Sequence, residues 1–291
     1  MAHTVICEDT RQLGRHNWLE YRKAGLGASD AAASVGLSPW VSEYQLYQDK
    51  LGLLPEEPQS PFFAWRLGIE DPILDYVEAY CPEITGALVR HQMLRSVEYP
   101  WMQTSPDGWI PGYCTVQAKT AQGWDEAKWD VAVPDVYVIQ VHHEMIVLDV
   151  RKAYIPVTFG MKEPRLFEVA WDQGIADALI RGERAFWKRV LEHDPPDIDG
   201  SDATRAALAA QYDEPIPEKV HEASELVANV AQRGSHLMAD VAKAYKEIDK
   251  AKAICMQAMG DAELLEYDGE VLATWRLQKN GRVFRFSKEG K

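Results

Sequence analysis

Apolar residues along the chain switch between helical and strand-like spacing, and each switch marks an element. The stretch HNWLEYRKAGLGASDAAASVGLS (16–38) starts with helical spacing and turns at Gly25 and Gly27. It restarts at Ser29, a natural N-cap before Asp30 and an alanine-rich helix that Gly36 and Ser38-Pro39 stop. A third helix, SEYQLYQDKLG (42–52), carries Tyr44, Leu46, Tyr47 and Leu51 and ends at Gly52. The prolines of PEEPQSP (55–61) predict a loop. A long helix follows in FFAWRLGIEDPILDYVEAY (62–80), with Leu67, Ile73, Leu74 and Val77 as its apolar face and an interruption expected at Pro72.

From residue 88 the period changes. LVRHQMLRSVEYPWMQTSPDGWI (88–110) shows alternation and turn signals of strands, and GYCTVQAKT (112–120) is predicted as one further strand after the Pro111-Gly112 turn. VPDVYVIQVHHEMIV (133–147) mixes β-branched residues with helical spacing, which places a helix at roughly 134–146. It is expected to lead into a strand at MIVLDV (145–150), with another at KAYIPVTF (152–159). HDPPDIDGSD (193–202) reads as a linker, so the expected domains are 1–195 and a C-terminal extension, 196–291. In that extension one long helical pattern runs from Pro217 to Met259, followed by β-rich runs with turns at Asp268-Gly269 and Asn280-Gly281. The whole predicts an α/β protein with a helical plus β-hairpin extension.

Composition narrows the function classes. The 291 residues are 46% hydrophobic and 26% charged, ordinary for a water-soluble protein. No apolar run reaches membrane-spanning length, and MAHTVICEDTRQL lacks a secretory pattern, so a cytoplasmic location and no membrane partner are expected. The scattered Cys7, Cys81, Cys114 and Cys255 suggest neither a disulfide framework nor a thiolate zinc site. A net charge of −14 argues against indiscriminate coating of nucleic acid but leaves room for a locally basic channel. RHNWLEYRK (15–23) and RGERAFWKR (181–189) are the basic groups, each otherwise a solvated helix face.

The candidate chemistry lies in TSPDGWI (104–110) and TVQAKTA (115–121). If the strands around Pro111-Gly112 pair antiparallel, Asp107 lies beside Gln117. Residues two apart share a strand face, so Gln117 and Lys119 point together while Ala118 turns to the core. An Asp with a second carboxylate there would supply oxygens to Mg²⁺, and a neighbouring Lys can orient or help deprotonate an attacking water. Here the second position is the amide Gln117. His142-His143 is a poor ligand pair, because neighbouring helix residues point about 100° apart; a structural pair is the expectation.

WLEYRKAGLGASDAA, GIEDP, SPDG, VQAK and YVIQVHHEM occur in this order and at compatible spacing over about residues 15–190. In these motifs the chain resembles the YqaJ-type viral recombinase family, a lambda-exonuclease-like branch of the PD-(D/E)xK nucleases. The resemblance implies a central mixed sheet flanked by helices. It also implies Mg²⁺-dependent digestion of duplex DNA ends from 5′ to 3′, leaving 3′ single-stranded tails, with Mn²⁺ as a substitute and two ions at the site.

By resemblance, Asp107 would bridge the metal, Gln117 would stand in the Glu position, and Ala118 would offer its carbonyl. Lys119 would be the catalytic lysine, and Glu70 the helix carboxylate that completes the site. Arg22 and Ser29 would bind the 5′-phosphate, with Trp18 stacking nearby and Gln140 near the scissile region. A ring-shaped homotrimer around DNA and a single-strand annealing protein as partner are implied in the same way, as is a phage or prophage origin.

Gln117 keeps the shape of Glu but removes a charge, which implies an impaired site. An engineered isostere, a natural working ligand and an end-binding pseudo-enzyme all remain open, and the intact Asp107, Lys119, Arg22 and Ser29 favour the first two. A restriction-type endonuclease and a non-catalytic DNA-end binding module are the rival functions.

Overall fold

A computed structural model describes residues 2–55 and 60–287. The chain divides into two compact units, Met1–Pro215 and Ile216–Lys291. The first holds, in order, β1 (His3–Cys7), α1 (Gly14–Lys23), α2 (Ala31–Ser34), α3 (Glu43–Lys50) and α4 (Pro61–Tyr80). Next come β2 (Met93–Ser96), β3 (Gln103–Thr104), β4 (Gly108–Ile110), β5 (Cys114–Val116) and β6 (Lys119–Ala121). The unit closes with α5 (Glu126–Val131), α6 (Asp135–Leu148), β7 (Lys152–Phe159), β8 (Arg165–Ala170), α7 (Gln173–Glu192) and α8 (Asp202–Gln211).

The central sheet is mixed: β4 and β5 pair antiparallel, β5 and β6 run parallel to β7, and β8 returns antiparallel along β7. Parallel neighbours need a helical crossover, and α5 and α6 supply it. The expected single strand of GYCTVQAKT is interrupted. Its first half pairs Thr115–Val116 with Ala153–Tyr154 and its second pairs Lys119–Ala121 with Val157–Phe159. Between them the Gln117 N–H still donates to Tyr154 O at 2.9 Å.

Alternation sorts the two faces of this sheet. Cys114, Val116 and Ala118 pack with Ile73, Leu74 and Val77 of α4, whereas Ala153, Ile155 and Val157 face the cluster that contains Val141, Met145 and Ile146 of α6. A second sheet, β1-β2-β3, is antiparallel, and β1 has no counterpart in the sequence-based elements.

Several expectations change. MIVLDV is not a strand: α6 continues to Leu148 and ends on Asp149 at φ 56°. Val141, Met145, Val147 and Leu148 are all buried, and a helix apolar all round gives no period to separate it from a strand. α4 runs through Pro72 without the expected interruption, and Leu67 is exposed rather than on the buried face. Ser29 does not cap the alanine-rich helix; it lies inside a 3-10 turn, Ala28–Asp30, that leads into it, and the Asp30 carboxylate accepts from the N-cap of that turn, Gly27 N, at 3.0 Å. Most of the loop expected at 55–61 lies outside the described residues.

The first unit extends past residue 195. Thr204 of α8 donates to Ser42 Oγ at 2.7 Å, where both side chains are buried. The second unit consists of α9 (Glu225–Met259), capped by Ser224, and a meander of β9 (Leu264–Tyr267), β10 (Glu270–Gln278) and β11 (Gly281–Phe286). Both expected turns are present, with Asp268, Gly269 and Gly281 at positive φ. No single helix among the described residues is long and apolar enough to cross a membrane, and the four cysteines are free thiols.

α7 crosses α2 closely at Gly182, where an added Cβ would lie 2.6 Å from Val35 Cγ1. Helix propensity favours Ala over Gly by about 1 kcal/mol, but overlap with a stiff valine wins. Gly182→Ala is expected to lose about 1–3 kcal/mol of stability in urea unfolding. Gly234→Ala in α9, with nothing within 4 Å of the new Cβ, is expected to gain up to about 1 kcal/mol.

Candidate active site

The β4–β5 register pairs Gly108 with Val116, so Asp107 stands one step further, opposite Gln117. The Gln117 amide Nε2 and the Ala118 backbone N–H both donate to Asp107 Oδ2, the latter at 2.8 Å. Burial pushes the Asp107 carboxyl up from its ordinary value and the charge of Asp71 adds to that. The Lys119 ammonium and the two N–H donors oppose the rise without cancelling it.

Two contacts align α6 with this strand. Thr115 Oγ1 donates to Glu144 Oε2 at 2.5 Å, and Lys119 Nζ lies 5.4 Å from the Tyr137 ring centroid. Thr115, Gln117 and Lys119 share a strand face; Tyr137, Gln140 and Glu144 share a helix face by their spacing of three and four. The half-buried Gln140 thus sits on the α6 face that covers Gln117. Glu144 is fully buried, and burial pushes its carboxyl up to about 7, with Thr115, Lys119 and His143 acting against the rise and Asp107 adding to it.

On α4 the half-buried Glu70 adjoins Asp71. Asp71 ties α4 to Arg90 and His91, at 3.5 and 3.3 Å, and its charge acts on Asp107. The sequence singles out Glu70, and the structure adds Asp71 beside it.

Arg22, Ser29 and Trp18 form a second group. The Arg22 guanidinium reaches Asp30 Oδ1 at 2.5 Å and Ser29 Oγ at 3.5 Å, and lies 5.0 Å from the Trp18 ring centroid. Asp30 is buried and accepts from Lys50 Nζ at 2.6 Å. Lys50, whose side chain has 0% exposure, also donates to Arg22 O at 2.9 Å. Neither Asp30 nor Lys50 was singled out from the sequence, because nothing in the spacing of α2 and α3 shows that they meet. Ser29 is exposed, and its hydroxyl remains beside the Arg22 fork.

The adjacent histidines have separate structural partners. His143 is held between Glu183 of α7 and Gln103 O, at 2.8 and 2.9 Å, and His142 contacts Val138 O and accepts from Asp172 N. Among the described residues no three His, Cys, Asp or Glu side chains form a ready metal cluster. The donors at Asp107 still suit a hard divalent cation: one carboxylate, an amide whose Oε1 can turn inward, and the Ala118 carbonyl. Mg²⁺ is commonly held by one or two carboxylates together with substrate phosphates. A buried oxygen without a hydrogen-bond partner, Glu144 Oε1, adds an acceptor near the same strand face.

The chain thus has a mixed sheet with helices on both faces, and a carboxylate, an amide and a lysine meet where β5 gives way to β6. The alkaline exonuclease from Laribacter hongkongensis shares that fold with a TM-score of 0.50 at 13% identity, over 62% of this chain and 94% of that one. Residues 17–151 match the YqaJ-like viral recombinase domain. The match spans the stretch that holds most of the motifs on which that resemblance was expected. It is 27% identical over 280 residues to the uncharacterized protein YqaJ of Bacillus subtilis, covering 94% of this chain and 86% of that protein. A shorter match, 27% identical over 124 residues, links it to protein D345L of African swine fever virus, covering 42% of this chain and 35% of that protein.

The buried Asp30 generates a stability test. Desolvation alone would raise its pKa, but Arg22 and Lys50 outweigh burial and hold the carboxyl well below its ordinary 3.8. A depressed value stabilises the fold above pH 3.8 and loses that contribution only as pH falls towards the lower folded value. Asp30→Asn leaves the Lys50 charge buried without its counter-ion, and is expected to cost about 3–5 kcal/mol in urea unfolding. The loss should be constant across the neutral range and shrink only in strong acid.

Proposed function

We propose that this chain is a Mg²⁺-dependent exonuclease that digests duplex DNA from 5′ ends and leaves 3′ single-stranded tails for recombination. The observation that carries this reading is the convergence of Asp107, Gln117 and Lys119 at the break between β5 and β6. The recombinase domain and the fold shared with an alkaline exonuclease support it. Asp107, the Gln117 amide oxygen and the Ala118 carbonyl would hold Mg²⁺ or Mn²⁺, with Glu70 completing the site through water and a second ion. When bound, the cation would polarise the scissile phosphate and stabilise charge on the leaving oxygen.

The residues of the chain have distinct tasks. Lys119, on the same strand face as Gln117, orients the attacking water and presents a positive charge to the phosphoryl oxygens. Arg22 offers its fork and Ser29 its hydroxyl to a terminal 5′-phosphate, while Asp30 and Lys50 fix the fork before DNA arrives. Trp18 presents a ring beside the fork for stacking on the terminal base. Gln140 positions the substrate over Gln117. A ring of three copies around the duplex, an annealing protein that receives the 3′ tail, and action in the cytoplasm of a bacterium carrying the phage or prophage belong to the same proposal.

Gln117 lowers the negative charge at the cation position, so this chain is expected to cut more slowly than its Gln117→Glu variant. The assay is digestion of 5′-phosphorylated linear duplex with Mg²⁺. Gln117→Glu should be faster by about tenfold, in line with the loss of one charged ligand. Lys119→Ala should remove cutting in both backgrounds, and Arg22→Ala should erase the preference for a 5′-phosphate. Inertness of both chains while both hold duplex ends would leave an end-binding module, and cleavage of closed circular DNA would favour the endonuclease.

A further inference from the structure

The contact that ties Glu144 to β5 accounts for only one of its two carboxylate oxygens. Its side chain has 0% exposure, Thr115 satisfies Oε2, and Oε1 finds no hydrogen-bond partner among the described residues. An unpaired acceptor in the interior is a standing penalty, and such penalties persist where function requires them.

The strand and helix contacts locate this oxygen. Thr115 precedes Gln117 and Lys119 on one strand face, and Tyr137, seven residues before Glu144, lies against Lys119. The Glu144 carboxylate therefore stands over the segment that leads into Gln117, within reach of the charges of Asp107 and Lys119. We propose that Glu144 supplies the second carboxylate of the divalent-cation site, in place of the one that position 117 lacks, with Oε1 as the ligand oxygen.

Charge arithmetic favours this assignment. Asp107 beside Lys119 amounts to one negative and one positive charge, and Glu70 is assigned a place only through water; Glu144 adds a second directly held negative charge, from the helix instead of the strand. Gln117 then keeps a separate use. Its amide donates to Asp107 Oδ2 and so orients that carboxylate. The inference rests on the nuclease reading for what the cation does, but its test does not involve DNA.

Mn²⁺ binding to the full chain, followed by calorimetry and by electron paramagnetic resonance, measures it. Glu144→Gln keeps the shape and can keep the Thr115 contact, and it should weaken Mn²⁺ by about tenfold; in the Gln117→Glu background the same change should cost about threefold or less, because the strand carboxylate takes over. A loss below threefold in Glu144→Gln, with its circular dichroism unchanged, overturns the assignment and leaves a structural carboxyl. If that variant does not fold, Thr115→Val decides: a weakening of about twofold or more supports the assignment, and unchanged affinity overturns it. Absence of Mn²⁺ binding by the parent chain overturns it too. Tight binding that depends on Glu144, in a chain that cuts no DNA, would defeat the nuclease reading alone.

Discussion

The arrangement depends on a carboxylate kept from water and held by two N–H groups of the strand beside it. Asp107 can be buried because the Gln117 side-chain amide and the Ala118 N–H donate to the same oxygen. The Gln117 backbone N–H points to β7, so the next amide along, that of Ala118, points the other way, to the β4 side where Asp107 follows the last Gly108–Val116 pair. Everything proposed for the centre, from the cation to the lysine, is arranged around this capped carboxylate.

The Arg22 group is built on the same economy of form. Asp30 serves Arg22, Lys50 and the Gly27 amide at once, so one buried anion fixes a guanidinium, closes a turn and neutralises an interior lysine. The guanidinium is thereby set before any ligand arrives, which lowers the ordering cost of binding. Its strength is also a constraint, since none of the three partners can change alone without exposing the others to an unbalanced charge.

Much of this was legible in the sequence. Asp107 opposite Gln117 followed from a Pro-Gly turn and period-two spacing, and Arg22 and Ser29, named together by resemblance, do lie side by side. What was hidden depends on tertiary contact or on uniform burial. The α6 helix reads as a strand at its end because every position of MIVL is apolar, and the break at Gln117 has no signal in a stretch with good strand propensity. Asp30 and Lys50 meet only through the packing of α2 on α3, and Glu144 meets Thr115 only through the packing of α6 on the strand. The N-terminal strand escaped notice because its ladder partner lies some ninety residues away, at Ser96.

The second unit has a mechanical side. A helix the length of α9, Glu225–Met259, spans about 52 Å at 1.5 Å per residue. Its N-terminal cap and the β-meander that follows its last turn are therefore set further apart than a small domain is wide. Ser224 and Leu264 lie at the two ends of that spar. Shortening the helix by one turn would change that reach by about 5.4 Å and rotate nothing else within the meander.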